Sequence, residues 1–195
     1  MDDALLNPER LWTRAEVLGR PGPVPADPGV YAWYFTAVPP GVPVEGCRQL
    51  QDSVLLYVGI SPKRPPAGAG APSRQTLRTR LRYHYRGNAY GSTLRLTLGS
   101  LLADELGIQL RRVGSTGSRL TFSDGEAVLS EWMAEYARVC WVKHKQPWEL
   151  EAALIERLAL PLNLDQNRHG PFHGELTEAR RRQRDRAKTL PALPR

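Results

Sequence analysis

The chain has 195 residues, 41% of them hydrophobic, and carries 27 lysines and arginines against 20 acidic residues, for a net charge of +7 and a pI near 9.8. That length supports one domain with a substantial core. No apolar run approaches a membrane span, and the acidic opening Met1-Asp2-Asp3-Ala4-Leu5-Leu6 lacks the apolar stretch of a secretory signal.

Cys47 and Cys140 lie in unrelated contexts, which favours reduced, buried thiols in a cytoplasmic protein over a disulfide scaffold. The excess of basic residues favours a polyanionic partner.

In chain order, a short helix is expected over Asn7–Leu18, followed by a proline-rich lead-in ending at Pro28. Strand-like Val30–Phe35 and Val54–Val58 flank a turn-rich connector, which reads as an antiparallel hairpin with a long loop. Ser61–Ser73, with four prolines, is a loop. A helix over Ser73–Arg86 stops at Gly87-Asn88, and a second over Thr93–Leu106 stops at Gly107. Two short strands follow, Ile108–Val113 and Arg119–Phe122. Asp124 then caps a helix over Glu126–Ala137. Val139–Val142 reads as a buried strand, and Pro147 opens a helix that runs to Leu160. Beyond Asn167 the tail carries the arginine-rich run Ala179–Arg186, polar all round, which reads equally as a solvated helix or as an additional nucleic-acid contact.

Two helices place chemistry. At about 100° per residue, Leu150, Leu154, Leu158 and Ile155 define an apolar arc on Pro147–Leu160, and Glu151 falls in its middle. A carboxylate there needs a partner. A salt bridge to an arginine and a functional role both satisfy that need. On the earlier helix, Leu77, Leu81, His84 and Tyr85 form the core stripe. Arg78, Arg82 and Arg86 follow at i, i+4, i+8 on one flank, open to a phosphate backbone or to solvent. Arg80 stands on the other edge of the stripe. The pair His169 and His173 is interrupted by glycine and proline, and Cys140 with His144 lacks a second ligand pair.

Gly29-Val30-Tyr31, Tyr57-Val58-Gly59, Arg80 in Leu77-Arg78-Thr79-Arg80-Leu81, and Glu151-Ala152-Ala153-Leu154-Ile155 followed by Pro161-Leu162-Asn163 occur in order. Taken together, this set resembles the GIY-YIG nucleases. The resemblance covers about residues 29–163. It implies an α/β (α+β) fold with a small, mainly antiparallel central sheet flanked by helices and an inserted helix/strand segment. The division expected is a lead-in at 1–28, a nuclease-like domain at 29–167 with an insert around 91–141, and a basic tail at 168–195.

It further implies a DNA endonuclease, RNA being an alternative substrate, that uses one Mg²⁺ or Mn²⁺. In that reading Tyr31 is the general base, Tyr57 orients water or phosphate, Arg80 neutralises phosphate charge, Glu151 is the metal ligand and Asn163 holds the glutamate or the site geometry. His84 is a core histidine bonded to the site or an acid/base behind it. Many members carry lysine directly after the second motif's glycine; here Ile60-Ser61 follows, and Lys63 stands as the substitute. DNA contacts are expected from Lys63, Arg74, Arg78, Arg82 and Arg86. Substrate choice is expected to lie in Gly91–Trp141, with Arg111, Arg112, Arg119, Trp132 and Trp141.

Overall fold

The computed structural model describes residues 3–66, 73–114 and 116–194. Four antiparallel strands form the central sheet in the order β2-β3-β1-β6: β1 (Gly29–Phe35), β2 (Gln49–Leu50), β3 (Ser53–Ser61) and β6 (Ala137–Lys143). The expected hairpin is β1 against β3, with β6 on the other side of β1. A separate two-strand ribbon pairs β4 (Arg111–Val113) with β5 (Arg119–Thr121). The fold is thus mixed α+β around a small antiparallel sheet, as the sequence implied.

Alternation sorts β1 between two cores. Tyr31, Trp33 and Phe35 enter the larger core with α3 (Leu77–Arg86), α4 (Thr93–Leu101) and α5 (Gly125–Tyr136). Val30, Ala32 and Tyr34 enter the smaller core with α1 (Asp3–Leu6) and α6 (Pro147–Arg157). In β3 the alternation slips. Trp33 pairs with Tyr57 but Tyr34 pairs with Leu55, which leaves Leu56 as an extra residue. This bulge puts Val54, Leu56 and Tyr57 in the larger core and Leu55 and Val58 in the smaller. Tyr57, directly opposite Trp33, faces the same side as Tyr31.

The two glycines of the tripeptides make room. A Cβ on Gly59 would stand 2.6 Å from the Tyr31 hydroxyl, whose ring crosses that position; one on Gly29 would strike the Val142 carbonyl and the Leu77 side chain.

Several boundaries differ from expectation. Of the helix foreseen over Asn7–Leu18 only α2 (Arg14–Leu18) is helical, and α1 lies before that range, because Pro8 disfavours helix at Asn7 and Thr13 starts a new helix with a capping box to Glu16. Trp12, between them, is extended and bridges to Val139. The helix foreseen from Ser73 begins at Leu77, where Thr76 and Thr79 form its capping box. The helix foreseen to Leu160 ends at Arg157, with Leu158 extended. The one foreseen to Leu106 ends at Leu101. The loop foreseen over Ser61–Ser73 is described at 61–66 and at 73, and its middle lies outside the described residues.

The tail is not polar all round. In α7 (His173–Thr189), Leu176, Ala179, Gln183 and Ala187 form a buried stripe against α4 and β4. Among the described residues no helix is long and apolar enough to cross a membrane.

Because β2 covers only one end of β3, the rest of that strand is a sheet edge. The segment after α6 closes it. Leu162 N–H donates to the Leu56 carbonyl at 3.1 Å. The Asn163 side chain accepts from Val58 N–H at 3.0 Å and donates to the Val58 carbonyl at 2.9 Å. A side-chain amide here imitates a neighbouring strand, supplying one donor and one acceptor to one residue. Asn163→Asp keeps the acceptor but sets a carboxylate oxygen against the Val58 carbonyl. We expect it to destabilise the chain by about 1–3 kcal/mol, read as a lower urea midpoint at unchanged slope.

Candidate active site

Tyr31 and Tyr57 of the sheet, Arg80 of α3, Glu151 of α6, Asn163 and Lys63 line a single cleft of about 420 Å³. The residues singled out from separate parts of the sequence therefore converge, although the α6 carboxylate and the two tyrosines arise from opposite sides of the sheet. They meet because the cleft opens at the β3 edge, around which the Leu160–Asn163 segment turns.

A buried chain of polar contacts stands behind Tyr31. Its hydroxyl lies 2.8 Å from His84 Nε2, and His84 Nδ1 lies 2.7 Å from Ser92 Oγ. Ser92 caps α4, where its Oγ also accepts from Arg95 N–H at 3.1 Å. Arg80, itself buried, donates from Nε to the Tyr31 oxygen at 3.4 Å and from Nη1 to the Gly91 carbonyl at 2.8 Å.

Burial, reinforced by Arg80 and Arg95, holds the His84 imidazole well below its ordinary pKa, so it is neutral. Burial also pushes the Tyr31 phenol well up; Tyr57 adds to that, and Arg80 opposes it. Tyr57 rises for the same first reason, and its hydroxyl lies 3.4 Å from Thr93 Oγ1.

Glu151 is half-buried at the cleft wall. Burial raises its carboxyl to about 7, with Asp165 adding to the rise and Gln166, Lys63 and Arg80 opposing it. Its Oε2 accepts a long hydrogen bond from Gln166 Nε2 at 3.4 Å, and it forms no ion pair with a described residue. The arginine salt bridge that would have explained this glutamate structurally is therefore not what holds it. A half-buried carboxylate without a counter-ion, open to a polar cleft, fits a hard divalent cation, which commonly takes one or two protein carboxylates and completes its shell from substrate phosphate and water. Asn163 is fully engaged with Val58 and does not touch the glutamate; Gln166 does.

Other expected residues lie elsewhere. Arg78, Arg82 and Arg86 sit on the flank of α3 away from Arg80, around a cavity shared with Arg20. There Arg78 Nε donates to the Val24 carbonyl at 2.7 Å, and Arg82 donates to the Val17 and Gly19 carbonyls at 3.2 and 3.3 Å. These two pin the lead-in to the helix. Arg74 is exposed before α3.

In the 91–141 segment, Arg112 donates to the Ala187, Lys188 and Leu190 carbonyls and Arg111 to that of Pro191, so both fasten the end of α7. Trp132 is buried beside Phe35, Trp141 stacks on Trp12, and Arg119 lies over the exposed ring of Tyr90. Ser92 and Gln166, near the tyrosines and the glutamate, were not singled out, and Arg180, which also lines the cleft, was named only within the arginine-rich run. Ser92 carried a visible helix-cap signal, but nothing local tied it to His84.

The chain matches the family described as the GIY-YIG catalytic domain over residues 29–182. It belongs to that family, whose members are nucleases. No curated protein and no solved structure matches it significantly. The family match runs past Asn163 and into α7 as far as Arg182.

Proposed function

We propose that this protein is a metal-dependent DNA endonuclease that hydrolyses a phosphodiester bond by a GIY-YIG-type mechanism with one divalent ion. The observation that carries the reading is the convergence on one cleft of Tyr31, Tyr57, Arg80 and Glu151, which makes no ion pair with a described residue. Glu151 is the residue that would hold Mg²⁺ or Mn²⁺, which when bound supplies Lewis-acid neutralisation of the scissile phosphate.

Tyr31, after releasing its own phenolic proton, takes the proton of the attacking water as the phenolate. Its phenol is ordinarily far too protonated at neutral pH for that work. Arg80 counters this by placing a guanidinium N–H on the oxygen where negative charge develops. The buried His84–Ser92 pair fixes the orientation of that oxygen. Arg80 also faces the cleft, where its charge offsets that of the pentavalent phosphorus centre. Tyr57 presents its hydroxyl to water or phosphate. Lys63 adds a further cation to the cleft wall.

The test is nicking of supercoiled plasmid by purified protein with Mg²⁺ or Mn²⁺. We expect open-circular product that disappears in EDTA. Protein that binds the plasmid yet cuts under neither ion would sink the enzyme reading and leave a DNA-binding module on the same fold.

A further inference from the structure

The arginine-rich end of the chain is not uniform. Projected about the α7 axis, the buried stripe of Leu176, Ala179, Gln183 and Ala187 is bordered on one side by His173, Thr177, Arg180 and Arg184. Those four residues form one wall of a groove whose other wall is Leu164, Asp165, Gln166 and Arg168. Arg182 and Arg186 lie on the opposite border of the stripe. Arg181 is occupied, bonded to Glu178 and Asp185.

Arg180 and Arg184 differ from Arg181. Neither makes a hydrogen bond or an ion pair to a described residue, and the Arg180 Nε is buried with no hydrogen-bond partner among the described residues. Arg180 lines both this groove and the catalytic cleft, as do Leu164, Asp165 and Gln166, so the two are continuous. Burial and the neighbouring Arg184 both disfavour the Arg180 charge, and Asp165 only partly offsets them. The helix is held firmly: its stripe packs on α4, and Arg112 ties down its last carbonyls.

We infer that α7 is a phosphate-binding wall of the nuclease, on which Arg180 and Arg184 engage successive phosphates of the DNA strand leaving the cleft beside Glu151. This rests on the nuclease reading above. The chemistry fits: residues 180 and 184 stand about 6 Å apart along the helix axis, and a phosphate backbone supplies the paired acceptors that such forks lack here. Across the groove Arg168 adds a third cation, against the single acid Asp165.

The experiment is fluorescence anisotropy of a short labelled DNA duplex against KCl concentration, with the full chain in EDTA so that binding is read without cleavage. Loss of two phosphate contacts makes the slope of log K on log salt shallower by about 1.8. We expect that change for R180Q/R184Q, and the wild-type slope for both R180K/R184K and the charge-matched R182Q/R186Q. If circular dichroism shows that the glutamine pair disturbs the fold, R184Q alone is expected to shift the slope by about 0.9. An unchanged slope in R180Q/R184Q, an equal shift in R182Q/R186Q, or no binding by the wild type overturns the inference. The two readings fail separately. Wild type that binds with this pattern but never nicks plasmid removes the nuclease and keeps the phosphate wall. Wild type that nicks while R180Q/R184Q keeps the full slope does the reverse.

Discussion

Glu151→Gln is expected to abolish metal-dependent nicking, lowering the rate by about a thousandfold or more, since Lewis-acid stabilisation of phosphate is worth several kcal/mol. The substitution keeps the size and the hydrogen-bonding reach to Gln166 and removes only the charge. DNA affinity in EDTA is expected to hold or rise, which separates loss of chemistry from loss of binding.

The same residue sets a pH signature. Its carboxyl sits at about 7 instead of 4.5, principally through burial, and only the ionised form holds a cation. The Glu151 contribution to nicking therefore climbs as pH rises through about 7 and then levels, and any further rise at higher pH belongs to ionisation of Tyr31, whose phenol burial pushes well up. Because the ion competes with the proton, the midpoint moves to lower pH as Mg²⁺ is increased. Stability of the metal-free chain runs the other way. Between 4.5 and about 7 the folded state binds more protons at Glu151 than the unfolded state does, so this residue's contribution is present below 4.5 and lost as pH rises through about 7. Urea denaturation in EDTA across that window reads the loss, and the glutamine variant lacks it. A wild-type profile indistinguishable from that of Glu151→Gln would remove the carboxylate from the site's chemistry.

Tyr31→Phe is the second large effect. Removing a positioned general base costs about a hundredfold to ten-thousandfold in rate, and we expect a drop in that range with DNA binding intact. The same change strips His84 Nε2 of its partner in a fully buried position, which destabilises the chain by about 1–3 kcal/mol. Rates are therefore compared well below both thermal midpoints, where the folded fraction is the same for each protein. Nicking within a few-fold of wild type under those conditions would assign the proton transfer to another group.

Much of the site was legible because periodicity carries it. The helix projections separated Arg80 from Arg78 and Arg82 and flagged Glu151 as needing a partner, and both residues line the cleft. The hairpin was legible from two apolar runs. What the sequence withheld depends on contacts between distant segments. Asn163 lies 105 residues from the Val58 backbone it clamps. Ser92 reads as an ordinary helix cap, and only the course of the turn between α3 and α4 brings its Oγ to His84 Nδ1. The run Ala179–Arg186 hides its apolar stripe, since two of the four buried positions are alanine and one is glutamine; five arginines dominate any hydropathy reading of it. Arg111 and Arg112 show the converse: their charge was visible in the sequence, but the carbonyls at and just beyond the end of α7 that they bond were not.

The bulge at Leu56 gives chain length two different meanings within one hairpin. Between β1 and β2 the chain can grow, since pairing of Tyr31 with Gly59 fixes the two strands whatever the loop between them does. The unusually long, proline-rich connector is thus no obstacle to bringing the tyrosines together. Inside β3 the extra residue is absorbed locally, since Tyr57 stays opposite Trp33 and Leu55 opposite Tyr34 on either side of it. Loss of Leu56 would restore strict alternation with both pairings kept and Tyr57 still on the Tyr31 side. What it would remove is the carbonyl that receives Leu162 N–H, so the added residue serves the segment that closes the sheet edge and carries Asn163, and not the tyrosine pair itself.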